Sequence, residues 1–227
     1  MKKCNLILLS ALISVAVFSQ QKPQKFIYPV KVPVTFDAER LARLDSVFQH
    51  YVDNGTLPHA VTFIAHHGKV VHYKAFGWRN IENNIPCEKD DIFRMASQTK
   101  AITAVALLTL FEEGKILLDE PVKKYIPEFT NPQVLVSFNE ADSSYTTRPA
   151  KRDITIRHLL THTSGYSYGN NQTRKIYDKA GIPLSPMLSN SNITLGEAVK
   201  LLAKCPLEHD PGDKFTYGMS MDILGYL

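Results

Sequence analysis

Between Asp37 and Asn54 the apolar residues Leu41, Leu44, Val47, Phe48 and Tyr51 recur at helical spacing, and Gly55 follows as a natural stop. The pattern then changes period. Val61–His66 and Val70–Phe76 are runs of apolar, β-branched and aromatic residues joined by His67-Gly68-Lys69, which predicts a hairpin. From Lys100 to Glu113 apolar residues fall on nearly every face, predicting a helix buried on most sides and ended by Gly114. Farther on, Thr155 and Thr194 are placed to cap helices, and Thr194-Leu195-Gly196-Glu197 has the form of a capping box. Residues 131–152 and 166–193 are polar and contain Pro and Asn, so they are expected to be loops long enough to act as lids or insertions. The chain contains no internal repeat.

The first residues belong to a different category. Lys2 and Lys3 precede an almost unbroken apolar stretch, Asn5 to Phe18, with small residues Val17 and Ser19 at its end. This is the form of an export signal over residues 1–19, and a leader follows over 20–34. The stretch is shorter than the ~20 residues that span a bilayer as a helix, so no stable membrane anchor is expected. A secreted or periplasmic protein, cleaved near Ser19, is the corresponding expectation.

Charge narrows the partners. The 227 residues carry a formal charge of +4, and removal of Lys2 and Lys3 lowers it to +2, too little to imply nucleic acid or an anionic membrane. Outside the signal, Cys87 and Cys205 are the cysteines present. An oxidising compartment permits a disulfide between them, and two buried free thiols fit the sequence equally well. Their spacing matches no zinc or haem motif. His158 and His162 have the spacing of a His-Glu-x-x-His zinc site, but Leu159 stands where the glutamate belongs. Lys123-Lys124 reads as an exposed helix face rather than a binding patch.

The candidate chemistry lies at the head of the apolar helix. Spacing of three puts Ser97 and Lys100 on one helix face. A serine hydroxyl becomes a nucleophile when a neighbouring base takes its proton, and lysine serves as that base if burial depresses its pKa. Taken alone, the same spacing also suits a capping serine followed by a surface lysine.

Three longer segments add to this. FRMASQTKAITAVALLTLFEEGKILLDEPVKKYIPEF (93–129), ITIRHLLTHTSGY (154–166) and PGDKFTYGMSMDILGYL (211–227) resemble, in the right order, the motif-bearing stretches of β-lactamase-related serine hydrolases. That superfamily holds class C β-lactamases, D-alanyl-D-alanine peptidases and family VIII esterases. The resemblance implies a combined α/β and all-α architecture, the β-lactamase/transpeptidase-like fold, in which an antiparallel sheet flanked by helices accompanies a helical domain. Residues 35–95 would begin the α/β domain and 96–227 would build the active-site helix and the helical domain. It also implies that Ser97 is acylated while Lys100 and Tyr217 shuttle the proton. The substrate would be a small ester, amide or peptidoglycan-like molecule, and no cofactor or metal is called for. His162 takes a structural role beside the site. One departure stands out: two positions after the tyrosine, where β-lactamases and penicillin-binding members usually carry an amide-bonding asparagine, this chain has Met219. That favours an esterase or a broader peptidase over a true β-lactamase. No Lys-Thr-Gly or His-x-Gly strand follows Tyr217, so the chain is expected to be C-terminally truncated, with the closing sheet strands missing. A non-catalytic binding or regulatory module is the alternative.

Overall fold

The computed structural model describes residues 36–67, 69–183 and 192–227. The expected signal and leader therefore lie outside the described residues. The chain divides after Phe93 into two compact units.

The first unit opens with α1, Ala38–Asp53, where the sequence places it. The Asp37 carboxylate accepts from the backbone N–H groups of Glu39 and Arg40, satisfying donors that a helix start leaves free. The helix lays Phe48 against Phe76 with ring centroids 5.8 Å apart. The hairpin follows as β1, His59–His66, and β2, Lys69–Asn80, paired antiparallel with an irregularity at Ile64/Ala65; β3, Ile85–Pro86, adds a short third strand on β2. Strand β2 runs farther than its apolar pattern predicted. The extension passes through Gly77, at φ 75° and so close to Pro58 that a Cβ would lie 2.3 Å from its carbonyl oxygen. Backbone approach, not side-chain alternation, continues the strand. His72 is buried in this unit, with Nε2 2.7 Å from the Thr62 hydroxyl.

The second unit is mostly helical. A 3₁₀ turn, Ala96–Gln98, leads into α2, Thr99–Glu112. Two strands, β4 (Gln133–Phe138) and β5 (Tyr145–Pro149), form an antiparallel hairpin, followed by α3 (Ile156–Leu160), α4 (Asn171–Lys179), α5 (Leu195–Leu202) and α6 (Ser220–Tyr226). Fully buried Val122, Ile156, Leu159, Tyr166, Leu207 and Ile223 centre its core.

Three expectations need correction here. Residues 131–152 are not a loop. They hold β4 and β5, and the hairpin is stitched to the chain at Leu207 by Leu135 N–H to Leu207 O (2.9 Å) and Leu207 N–H to Gln133 O (2.7 Å). The alternation is short and its turn lacks glycine, so the strands left little local signal. The stretch 166–193 contains α4, capped by Asn170, which accepts from the Gln172 and Thr173 backbone N–H groups; residues 184–191 of it lie outside the described residues. Finally, α2 is not buried on most sides. Leu107 is buried, but Ile102 and Val105 are 63% and 61% exposed. Apolar composition reports what a helix is prepared to bury, whereas the neighbours among the described residues cover one side only.

The capping expectations hold. Thr155 Oγ1 accepts from His158 N–H while His158 Nδ1 accepts from Thr155 N–H, both at 3.2 Å. Thr194 and Glu197 form the reciprocal box at the start of α5. Lys123 and Lys124 sit in a 3₁₀ turn, paired with Asp153 and Glu120. Cys87 and Cys205 are both free thiols, buried, and burial pushes each up to about 11. Among the described residues no helix is long and apolar enough to cross a membrane.

Thr194→Ala should cost roughly 1 kcal/mol of stability, read as a lower urea midpoint with an unchanged m-value. A second prediction concerns acid. The bidentate Arg148 guanidinium, aided by the Lys151 N–H, holds the buried Asp210 carboxyl far below its ordinary 3.8. A depressed folded-state pKa contributes stability that is complete above the unfolded value and is lost as pH falls through the folded one. The stability gap between wild type and Asp210→Asn should therefore be constant near neutrality and shrink below about pH 4; denaturant titrations across pH measure it.

Candidate active site

Ser97 sits in the 3₁₀ turn ahead of α2, directly after Ala96, whose φ of 45° places a non-glycine residue in the left-handed region. Such a conformation costs about 1–3 kcal/mol and persists where the surroundings enforce it. Lys100 lies in the first turn of α2 and donates from Nζ to Ser97 Oγ at 3.1 Å. Tyr217 reaches the same oxygen from the opposite end of the unit, with Oη 3.5 Å from Ser97 Oγ. The structure thus brings Ser97, Lys100 and Tyr217 together around one hydroxyl.

The surroundings are aromatic. The Lys100 ammonium lies 5.2 Å from the Tyr217 ring centroid and 5.8 Å from that of Tyr168. The Tyr168 and Tyr217 rings are 5.7 Å apart, and the His162 ring packs on Tyr217 at 4.7 Å and on Phe215 at 5.9 Å. Sequence reasoning did not single out Tyr168. The signal was the Tyr166-Ser167-Tyr168 alternation: Tyr166 is fully buried and Tyr168 turns the other way, toward Lys100.

The electrostatics revise one expectation. Burial is the largest influence on Lys100 and pulls its pKa down, but hydrogen bonding to Tyr217 and Tyr168 outweighs it, and the net change is a rise above 10.5. Lys100 is therefore not a depressed lysine. Tyr217 moves the opposite way. The Ser97 hydroxyl and then the Lys100 ammonium hold its phenol below the ordinary 10.0. His162 is pushed below 6.5 by burial and next by Lys100, which favours the neutral ring.

Backbone contacts deliver Tyr217. Gly212 N–H donates to Thr163 O and Thr216 N–H to His162 O, each at 2.7 Å. The hydroxyls of Ser164 and Ser220 meet at 2.9 Å, tying the turn after α3 to the head of α6. Met219 is only 1% exposed and belongs to the core, so its side chain faces away from solvent.

A family model described as "Beta-lactamase" matches residues 44–227. This chain belongs to the β-lactamase family. Esterase EstB from Burkholderia gladioli is 37% identical over 193 residues, covering 84% of this chain and 45% of EstB. Among solved structures, EstCE1, "a hydrolase with promiscuous acyltransferase activity", superposes with a TM-score of 0.68 at 31% identity over 82% of this chain and 46% of its own. Simvastatin synthase (LovD) from Aspergillus terreus gives 0.66 at 29%, covering 83% and 47%. The expected family and the β-lactamase/transpeptidase-like fold are thus borne out, and the chain spans less than half the length of these relatives. The family includes hydrolases and acyltransferases.

Gly218, next to Tyr217, carries the tightest constraint at the site. A Cβ there would lie 2.4 Å from Ser167 Cα and from Tyr166 O, both backbone. Gly218→Ala should lower stability by about 1–3 kcal/mol, as overpacking does, with a matching fall in Tm. A Tm within a degree of wild type would show that the two strands of backbone are free to separate.

Proposed function

We propose that the protein is a serine hydrolase that forms an acyl-enzyme on Ser97, with Tyr217 as general base and Lys100 as the ammonium that keeps it ionised. The observation carrying this reading is the single hydroxyl approached by both Lys100 Nζ and Tyr217 Oη, with Lys100 shifted up and Tyr217 shifted down. A lysine held as ammonium cannot take a proton, so the base is the phenolate beside it.

In this reading Tyr217 takes the Ser97 proton as Oγ bonds to the substrate carbonyl carbon. The oxyanion would be received by backbone N–H donors at the turn that carries Ser97. The intermediate collapses, the bond to the leaving group breaks, and Tyr217 returns the proton to that group. A water deprotonated by Tyr217 then attacks the acyl carbon and Ser97 is released with its proton restored. An alcohol in place of water gives acyl transfer by the same steps, and EstCE1 is a hydrolase with promiscuous acyltransferase activity.

The substrate is a small ester or amide, with esters preferred. The position that would bond a substrate amide is Met219, which offers no hydrogen-bond donor and is buried in the core. The aromatic surround of Tyr168, Tyr217 and His162 suits an apolar acyl group. The Lys2-Lys3 and Asn5–Phe18 pattern supports export before action.

Fluorophosphonate labelling tests the nucleophile. Wild type should be labelled and Ser97→Ala should not. Undiminished labelling of the variant assigns the chemistry to another residue, and an inert wild type makes the protein a binding or regulatory module. For turnover, kcat/KM for p-nitrophenyl butyrate should exceed that for nitrocefin; the reverse order defeats the ester preference. Tyr217→Phe should lower kcat by ~10²–10⁴. Activity in wild type should rise with pH as Tyr217 ionises, with a midpoint below the ordinary phenol value of 10.0.

A further inference from the structure

Tyr217 is 45% exposed, so packing alone does not fix its hydroxyl. The residue after it, Gly218, has no side chain, and the His162 and Tyr168 rings pack against the Tyr217 ring at 4.7 and 5.7 Å without bonding its hydroxyl. The backbone just before Tyr217, at Thr216, is held by its own N–H bond to His162 O and by one buried side chain.

That side chain is His209. It is 8% exposed, and both ring nitrogens are engaged: Nδ1 lies 2.8 Å from Asp210 O and Nε2 lies 2.8 Å from Thr216 Oγ1. A carbonyl oxygen only accepts, so Nδ1 carries the proton. In the neutral ring Nε2 then accepts, and the Thr216 hydroxyl donates to it. The imidazole therefore joins the two ends of the segment 209–216. One end is anchored through Asp210, whose carboxylate receives Arg148 at 2.9 and 2.7 Å and Lys151 N–H at 2.8 Å. The other end is fixed twice, because Thr216 also donates its N–H to His162 O at 2.7 Å.

The geometry assigns His209 as a positioning residue for the proposed base: through the Thr216 hydroxyl it sets the reach of Tyr217 Oη to Ser97 Oγ. This inference rests on the reading of Tyr217 as base. The contact it controls is 3.5 Å, at the outer limit of a hydrogen bond, so a displacement of a few tenths of an ångström abolishes it. Catalysis should consequently be more sensitive than folding to the His209–Thr216 bond.

Thr216→Val keeps the shape of the side chain and removes its hydroxyl, Thr216→Ser keeps the hydroxyl, and His209→Phe removes both ring contacts. In the full chain, with p-nitrophenyl butyrate as probe, Thr216→Val should lower kcat by roughly 10–10²-fold, the scale of a misplacement of about 1 Å, with KM within about twofold. Its acid limb should move to higher pH, because a phenol drawn away from Ser97 and Lys100 loses the two groups that lower it. Thr216→Ser should restore both quantities, and the Thr216→Val/His209→Phe double variant should be no slower than the slower single variant, as for two halves of one contact. Thr194→Ala, remote from the loop, is the stability control and should leave kcat and the pH profile unchanged. A wild-type kcat and pH profile in Thr216→Val overturns the inference, as does a loss reproduced by Thr194→Ala. Tyr217→Phe separates the two levels. Should it remain active, the assignment of the base fails and this inference with it; should it be inactive while Thr216→Val is normal, only the positioning role fails.

Discussion

At Gly218 two stretches of backbone lie closer than any side chain would allow, and the arrangement of the site follows from that approach. The chain after Tyr217 rests on Tyr166 and Ser167, within 2.4 Å of where a Cβ would stand. Backbone packing that leaves no room for a Cβ fixes the register between the turn that follows α3 and the start of α6. Ser164 consequently meets Ser220, His162 lies under Tyr217, and Tyr168 stands beside it. Residues some fifty positions apart are brought within a few ångströms by one missing methyl group. Hydrogen bonds from Gly212 and Thr216 to the backbone of Thr163 and His162 continue the same seam toward the loop.

Upon that frame the charges are arranged by proximity rather than by depth. Lys100 is partly desolvated, yet two phenols beside it reverse the effect and keep it protonated. The reciprocal effect falls on Tyr217, which ionises more readily. The two members of one pair are thus driven in opposite directions by their environment, the lysine toward its charged form and the phenol toward its anion. A neutral His162 fits this division, since a second cation against Tyr217 would compete with Lys100 for the same phenol.

Elsewhere two carboxylates are paired with cations. Asp210 is buried and receives Arg148 and Lys151, and Asp45 receives Lys74 beside the buried His72. The thiols of Cys87 and Cys205 are buried and held in the protonated form. These arrangements make Asp210 more than a surface ion pair. It joins the β4–β5 hairpin to the segment that ends at Tyr217, so the hairpin hidden in an apparently irregular stretch is part of the scaffold of the site.

The sequence by itself determined the local features: α1 with its Gly55 stop, the β1–β2 hairpin, the Thr155 cap and the capping box of Thr194 and Glu197. Each is encoded within a few neighbouring residues, where period and capping chemistry are legible. Ser97 and Lys100 were legible for the same reason, being one helical turn apart, and Tyr217 only because its flanking segment resembles a known family. The tertiary structure decided what depends on distant partners. It turned residues 133–149 into a hairpin by bonding Gln133 and Leu135 to Leu207, left Ile102 and Val105 of α2 exposed, and brought Tyr168 to Lys100. It also decided the direction in which Lys100 titrates. A pKa is the balance of burial against specific neighbours, and those neighbours lie on loops dozens to more than a hundred residues away, which no local pattern contains.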